Sequence, residues 1–226
     1  NDFIARLKET LERERRFTAD AAHELRTPLA ALRIHLDNAQ AGDQQSLQKA
    51  YVGVERLQRV VEQLLILARL DQVATTPPAT IDLYPIIAEL VAEMWPLAEE
   101  RGQHLKLKGL TRLKISADEV EVGILFRNLL DNALRYTPQG GHVEVELALW
   151  EEAPQLIIRD TGPGLPEDML DKVTERFRRA SGQGITGSGL GLSIVSELVQ
   201  RQRAILTLAN REFSGLEVSV RWTLLT

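Results

Sequence analysis

The amino-acid sequence predicts an α+β protein, with an N-terminal antiparallel helical hairpin followed by an α/β sandwich. Three observations predict it. Residues 3 to about 70 read as two helices, with apolar residues at alternating four- and three-residue spacing over 25–39 and 47–68 and a break near residue 42. A proline-containing break follows at 71–79. Beyond residue 80, helical periods and short alternating strands mix, as in domains with helices packed on a sheet.

The hairpin's first helix carries Leu25, Leu29, Leu32, Leu36 and Ala39 on one face. The second carries Leu47, Ala50, Val54, Leu57, Val61, Leu64 and Ala68 in strict repeat. Ala41 to Ser46 supplies the turn and an N-cap. One hairpin exposes a seam that it cannot cover, whereas two close into a four-helix bundle, so a homodimer is expected. The alternative is that the seam packs on the rest of the same chain. Asp71 to Ala79, with Pro77 and Pro78, reads as a short hinge-like linker, dividing the chain into 1–70 and 80–226.

In the second part, Ile81 to Leu83 reads as a short strand. Tyr84 to Arg101 reads as a helix ending at Gly102, with Pro96 an internal defect. Leu105 to Lys108 and Leu113 to Ile115 alternate as strands. Asp118 to Tyr136 is a long helix stopped by Thr137-Pro138. Strands are expected at Val143–Leu147, Leu156–Ile158, Ile205–Ala209 and Leu216–Leu224, and a helix at Leu190–Arg203, giving a sheet that leans antiparallel.

Composition excludes several classes. Net charge is −5, which does not point to nucleic acid or an anionic membrane surface. There is no cysteine, hence no disulfide or thiolate metal site. The four histidines, at 23, 35, 104 and 142, lack metal-ligand spacing. No apolar run approaches the roughly 18–20 residues needed to span a bilayer. No signal peptide is present, the chain starts at Asn1, and it reads as a soluble fragment.

Five segments carry chemistry. In Phe17–Leu29, Pro28 cannot donate to the Glu24 carbonyl and should bend the helix beside His23. A neutral imidazole is nucleophilic near pH 7, and the carboxylate of Glu24 can hold its other proton. Thr27 shares a helix face with His23. Asn128, Asn132, Arg135 and Tyr136 form a polar stripe on an otherwise apolar helix, and amide oxygens suit Mg²⁺. Asp160 ends an apolar strand and enters a turn in which Gly162 and Gly164 allow close backbone approach; an ordinary Asx-turn would read the same way. Gly187, Gly189 and Gly191 precede a helix whose N-terminal N–H groups can bind phosphate. Between Phe177 and Gly187, glycines and arginines, Arg179 among them, suit a mobile lid or an ordinary surface loop.

These segments resemble, in order, the H-box, N-box, D-x-G-x-G box, F-box and second glycine box of bacterial two-component sensor histidine kinases. The H-box pattern F-x-x-x-x-x-H-E-L-R-T-P-L matches at every position, and the resemblance covers nearly the whole chain. The wording is closest to sensors of the quorum-signal and polymyxin-resistance type. The resemblance implies a dimerisation and histidine-phosphotransfer domain, then an ATP-binding domain of the gyrase, chaperone and histidine-kinase kind.

It further implies ATP-dependent phosphorylation of His23 assisted by Glu24, transfer to an aspartate of a response regulator, and a phosphatase role for Thr27. ATP would be held with Mg²⁺ on Asn132 and Asn128, phosphate on Arg135, adenine on Asp160, and the nucleotide packed by Tyr136. Phe177, Arg179, Gly187, Gly189, Gly191 and Leu192 would complete the site. Such sensors carry membrane helices and a sensing domain upstream, which places this stretch on the cytoplasmic side of an inner membrane, with no membrane contact of its own. Hydrolysing relatives have glutamate where Asn128 stands; an amide cannot act as a general base. Two other functions fit the residues less fully: a dimeric nucleotide-gated switch without histidine phosphorylation, and a plain ATPase. The Gln200–Ala204 segment departs from the family's His-Gly-Gly and puts that helix-ending turn in question.

Overall fold

The computed structural model describes residues 2–72, 78–170 and 190–223. The chain forms two compact units, residues 1–72 and 73–226. Among the described residues, no helix is long and apolar enough to cross a membrane.

The first unit is the expected hairpin, α1 (Asp2–Gln40) and α2 (Gln44–Gln72). α1 continues through Pro28, which is buried. The turn closes on Asp43, whose carboxylate accepts from the Gln45 N–H at 3.0 Å and the Ser46 hydroxyl at 2.6 Å. This N-cap satisfies donors that α2 could not pair internally. α2 runs to Gln72, so the first two residues of the expected linker are helical, and residues 73–77 lie outside the described set.

The apolar repeat of α2 divides between two faces. Ala50 and Leu64 are buried against α1, while Leu47, Val54 and Val61 keep 49%, 40% and 41% of their surface exposed. Leu29 and Leu36 of α1 are about half exposed as well, at 49% and 48%. Gly53 lies at the contact between the helices, where an added Cβ would meet Leu32 Cδ1 at an ordinary van der Waals distance of 3.6 Å. A single hairpin therefore buries one row of its heptads and leaves the other bare.

The second unit begins with a two-stranded antiparallel ribbon, β1 (Ala79–Asp82) and β3 (Lys114–Ala117). Asp82 caps α3 (Leu83–Glu100) through the Tyr84 N–H and also ties the Leu113 N–H. α3 ends at Gly102, whose φ of +62° suits glycine. The main sheet has the order β2-β4-β5-β7-β6, from β2 (His104–Gly109), β4 (His142–Trp150), β5 (Ala153–Asp160), β7 (Leu216–Arg221) and β6 (Ile205–Asn210). β2 and β4 are parallel, and the other pairs are antiparallel as expected.

Helices α3, α4 (Glu119–Tyr136) and α6 (Gly191–Arg201) contribute the helical side of the core, and a short α5 (Glu167–Leu170) follows the turn after β5. Phe126, Leu130, Leu134, Ile87 and Ile194 are fully buried, as are Val143, Val145 and Leu147 of β4. Polar residues alternate with these along β4, and there Lys108 pairs with Glu144 at 2.8 Å and Arg159 with Glu217 at 2.6 Å. Such partly exposed pairs set register more than they add stability.

Two tight turns use unusual residues. β4 and β5 are joined by Glu151 and Glu152, both at positive φ (48° and 72°), the requirement of a two-residue type I′ turn. α6 stops at Arg201, and Arg203 takes the left-handed conformation at φ 52°, which answers the question posed by the missing glycines. A side chain in that conformation costs about 1–2 kcal/mol relative to glycine, partly offset by glycine's freedom in the unfolded chain. Arg203→Gly should therefore stabilise the second unit by about 0.5–1 kcal/mol, read as a rise of about 2–4 °C per kcal/mol in its thermal midpoint.

Candidate functional site

α4 builds the site. Val122, Leu125, Phe126, Leu129, Leu130, Ala133 and Leu134 are buried and anchor one face of the helix. The opposite stripe carries Asn128, Asn132, Arg135 and Tyr136, all half-buried. The N-cap Asp118 accepts from the Glu121 N–H at 3.0 Å. At the other end Gln103 donates through Nε2 to the carbonyl of Leu134 at 2.8 Å and to that of Thr137. That side chain closes the helix end next to Arg135 and Tyr136, and no motif in the sequence pointed to it.

α6 sets its first residue against this stripe. A Cβ on Gly191 would lie 3.2 Å from Asn132 Nδ2, 3.4 Å from Asn132 Oδ1 and 3.5 Å from Asn128 Oδ1. Asn128 Nδ2 donates to the Ile124 carbonyl at 2.8 Å, which turns its oxygen toward α6. Among the described residues the Asn132 carboxamide makes no hydrogen bond. Leu190 provides no side-chain cap to α6, so among the described residues no side-chain oxygen caps the first N–H groups of this helix, those of Gly191 and Leu192. Two amide oxygens beside an uncapped helix N-terminus fit a polyphosphate with a hard cation. Arg135 pairs with Asp131 at 2.5 Å, its side chain only 12% exposed. A salt bridge at Arg201–Glu121, 2.9 Å, links the far ends of α6 and α4.

Asp160 closes the site from the strand side. Its Oδ1 accepts from the N–H of Gly162 at 2.7 Å and of Leu216 at 3.2 Å. Among the described residues Oδ2 has no partner. Burial pushes the Asp160 carboxyl above its usual range, opposed by the two N–H donors and the nearby charge of Arg211. Because the folded-state value is raised, the ionised carboxylate costs stability at neutral pH, and that cost is relieved as pH falls through the raised value. Gly162 packs on the end of α4, where an added Cβ would stand 2.7 Å from the Tyr136 carbonyl oxygen. Gly164 adopts φ +71° beside Asn210. The expected turn is therefore present, and it is an Asx-turn as well: its Oδ1 is used locally while its other oxygen is left over.

Phe177, Arg179, Gly187 and Gly189 lie outside the described residues. In the first unit, His23 lies in α1 with its side chain outside the described set, Glu24 is half-buried and Thr27 is exposed. Among the described residues no cluster of three or more His, Asp or Glu could hold a metal ion.

A helical hairpin with a histidine in its first helix, joined to a sheet domain with an open amide stripe, defines a phospho-acceptor module linked to a nucleotide module. The family comparisons agree: residues 13–73 match the His Kinase A (phospho-acceptor) domain, and residues 117–225 match the histidine kinase-, DNA gyrase B- and HSP90-like ATPase domain. The chain belongs to the sensor histidine kinase family.

It is 38% identical over 230 residues to the sensor protein QseC of Escherichia coli strain K12, covering 98% of this chain and 50% of that protein. The chain thus spans about half the length of the curated relatives it matches. The solved cytoplasmic segment of histidine kinase QseC is 28% identical, with a TM-score of 0.53, over 76% of this chain and 95% of that one. Histidine kinase ThkA in complex with response regulator protein TrrA shares the fold at 18% identity, with a TM-score of 0.77, over 98% of this chain and 66% of that one.

Gly162→Ala should drive a methyl group into the Tyr136 carbonyl and destabilise the second unit by about 1–3 kcal/mol, the usual range for overpacking. Urea unfolding of the full chain measures it.

Proposed function

We propose that this chain phosphorylates His23 from ATP and passes the phosphoryl group to an aspartate of a response regulator. The observation that carries the reading is the approach of Gly191, the first residue of α6, to the Asn128 and Asn132 carboxamides of α4. This sets amide oxygens beside a helix N-terminus, and among the described residues the two positions hold amides rather than a carboxylate that could activate water.

In this reading Asp160 Oδ2 accepts from the adenine amino group, and Gly162 and Gly164 let the base approach. Tyr136 packs near the nucleotide, and Arg135, oriented by Asp131, reaches phosphate. Asn132, with Asn128 second, would hold Mg²⁺, which supplies charge neutralisation on the phosphates. Gly191 and Leu192 receive phosphate at the α6 N-terminus. Phe177, Arg179, Gly187 and Gly189 would complete the nucleotide site, as the family resemblance implies.

Neutral His23 attacks the γ-phosphorus in line as the bond to the bridging oxygen breaks, and Glu24 stabilises the imidazolium that forms. The segment between α2 and β1 would let the ATP-binding unit deliver its nucleotide to the hairpin. The bare heptad row of Leu29, Leu36, Leu47, Val54 and Val61 supports a homodimer, in which a second hairpin buries it. The match to sensor proteins and to a solved cytoplasmic segment supports reading the chain as the cytoplasmic portion of a sensor, which by the family resemblance would sit in an inner membrane.

Incubation with γ-labelled ATP tests the reading. Acid-labile, base-stable label should appear on the wild-type protein and vanish in His23→Gln, whose ATP affinity stays within about 2-fold because the nucleophile is not a binding group. A wild type that binds ATP without label would favour the nucleotide-gated switch. Steady phosphate release without label would indicate an ATPase.

Thr27→Ala should leave that labelling largely intact and slow dephosphorylation of the phosphorylated regulator by about 10²-fold, since the hydroxyl orients water rather than moving a proton. Decay of purified phospho-regulator with wild type or variant measures it, and equal rates would make Thr27 a structural helix residue.

A further inference from the structure

The loop that carries Asp160 is held from outside by the turn joining β6 to β7. Asn210 pairs with Leu165 as a neighbouring strand would: its Oδ1 accepts from the Leu165 N–H at 2.8 Å and its Nδ2 donates to the Leu165 carbonyl at 2.6 Å. Arg211 Nη1 donates to the Asp160 carbonyl at 2.8 Å. Ser214 Oγ donates to the Gly162 carbonyl at 2.7 Å. Gly215, at φ +104°, leaves no room for a side chain, because an added Cβ would stand 1.9 Å from the Asp160 carbonyl oxygen. Leu216 then donates to Asp160 Oδ1.

We propose that Asn210, Arg211 and Ser214 are positioning residues for the nucleobase, holding the Asp160–Leu165 loop so that Asp160 Oδ2 stays aimed at an adenine amino group. This rests on the ATP-binding reading above. Three features single these side chains out from ordinary turn residues. They tie successive carbonyls of one loop, at residues 160, 162 and 165, rather than one another. All three are exposed, so they add nothing to the core and their hydrogen bonds are what they contribute. Apart from the turn, the loop is held by Asp160 Oδ1 on the Gly162 N–H and by Thr161 Oγ1, which accepts from the His142 N–H at 2.8 Å, while Gly162 and Gly164 bring no side chains to anchor it. A carboxylate that must meet one face of a base needs its backbone fixed to well under an ångström, and a glycine-rich loop does not supply that stiffness alone. The turn makes the loop a preformed receptor.

Titration calorimetry of the full chain with ATP and with GTP, in the presence of Mg²⁺, tests this. Asn210→Ala and Arg211→Ala should each weaken ATP binding about 3- to 10-fold, the loss of one or two exposed hydrogen bonds, and narrow the preference for ATP over GTP by a similar factor. Asn210→Asp keeps the acceptor and loses the donor, and should fall between wild type and Asn210→Ala. Ser214→Ala removes a single bond and serves if a larger change disturbs folding. Thermal midpoints should move by less than about 2 °C, as for other exposed substitutions. Unchanged ATP affinity and preference would overturn the proposal. So would equal losses for ATP and GTP that track a fall in thermal midpoint, which would make the turn a structural brace. Absence of ATP binding by the wild type would instead remove the nucleotide reading itself, and the proposal with it.

Discussion

The amphipathic character of α4 is the constraint on which the second unit depends. Seven apolar residues lock the helix into the core, and the polar stripe follows wherever that packing sends it. Burying side chains of the size of Leu125, Phe126, Leu130 and Leu134 stabilises by about 1.5–3 kcal/mol each. The cleft opposite is therefore held by forces that do not involve its ligand. Asn128 and Asn132 can remain polar and half-buried because the rest of the helix has no freedom to turn them elsewhere. The helix ends are fixed in the same spirit, by Asp118 at the start and Gln103 at the finish.

Against that fixed helix, the other parts of the cleft are brought in by close backbone approach rather than by large side chains. Gly191 puts the start of α6 against the two amides, and Gly162 seats the Asp160 turn on the last carbonyl of α4. The chemistry follows from what is absent at the contact as much as from what is present: hydrogens in place of methyl groups, and amides in place of a carboxylate that could activate water. The hairpin obeys a different logic. Its repeat has more apolar rows than one partner helix can cover, and the uncovered row is the simplest physical argument for a second hairpin.

Most of this was legible in the sequence because its signals are local. The repeat of α2, the turn at Asp43, the stop at Thr137-Pro138 and the stripe from Asn128 to Tyr136 all lie within a few helical turns. What was not legible depends on residues far apart in the chain. Asn210 and Arg211 meet the Asp160 loop across 45 and 51 positions, and Gln103 meets Leu134 across 31. Neither residue type nor spacing announces such contacts. The parallel pairing of β2 with β4 was hidden for the same reason, since alternation reveals a strand but not its neighbour. Arg203 shows a third kind of gap: the turn takes a left-handed conformation without the glycine that normally marks one.

The central claim is that a nucleotide sits between α4, the start of α6 and the Asp160 turn. Backbone amide chemical shifts of the full chain, recorded with and without a non-hydrolysable ATP analogue and Mg²⁺, address it most directly. Perturbations are predicted to concentrate at Asn128, Asn132, Asp160, Gly162 and Gly191, with Glu151 and Glu152 of the β4–β5 turn, at the opposite end of β5 from Asp160, unaffected. Perturbations centred on that turn, or spread evenly over the sheet without involving α4, would contradict it.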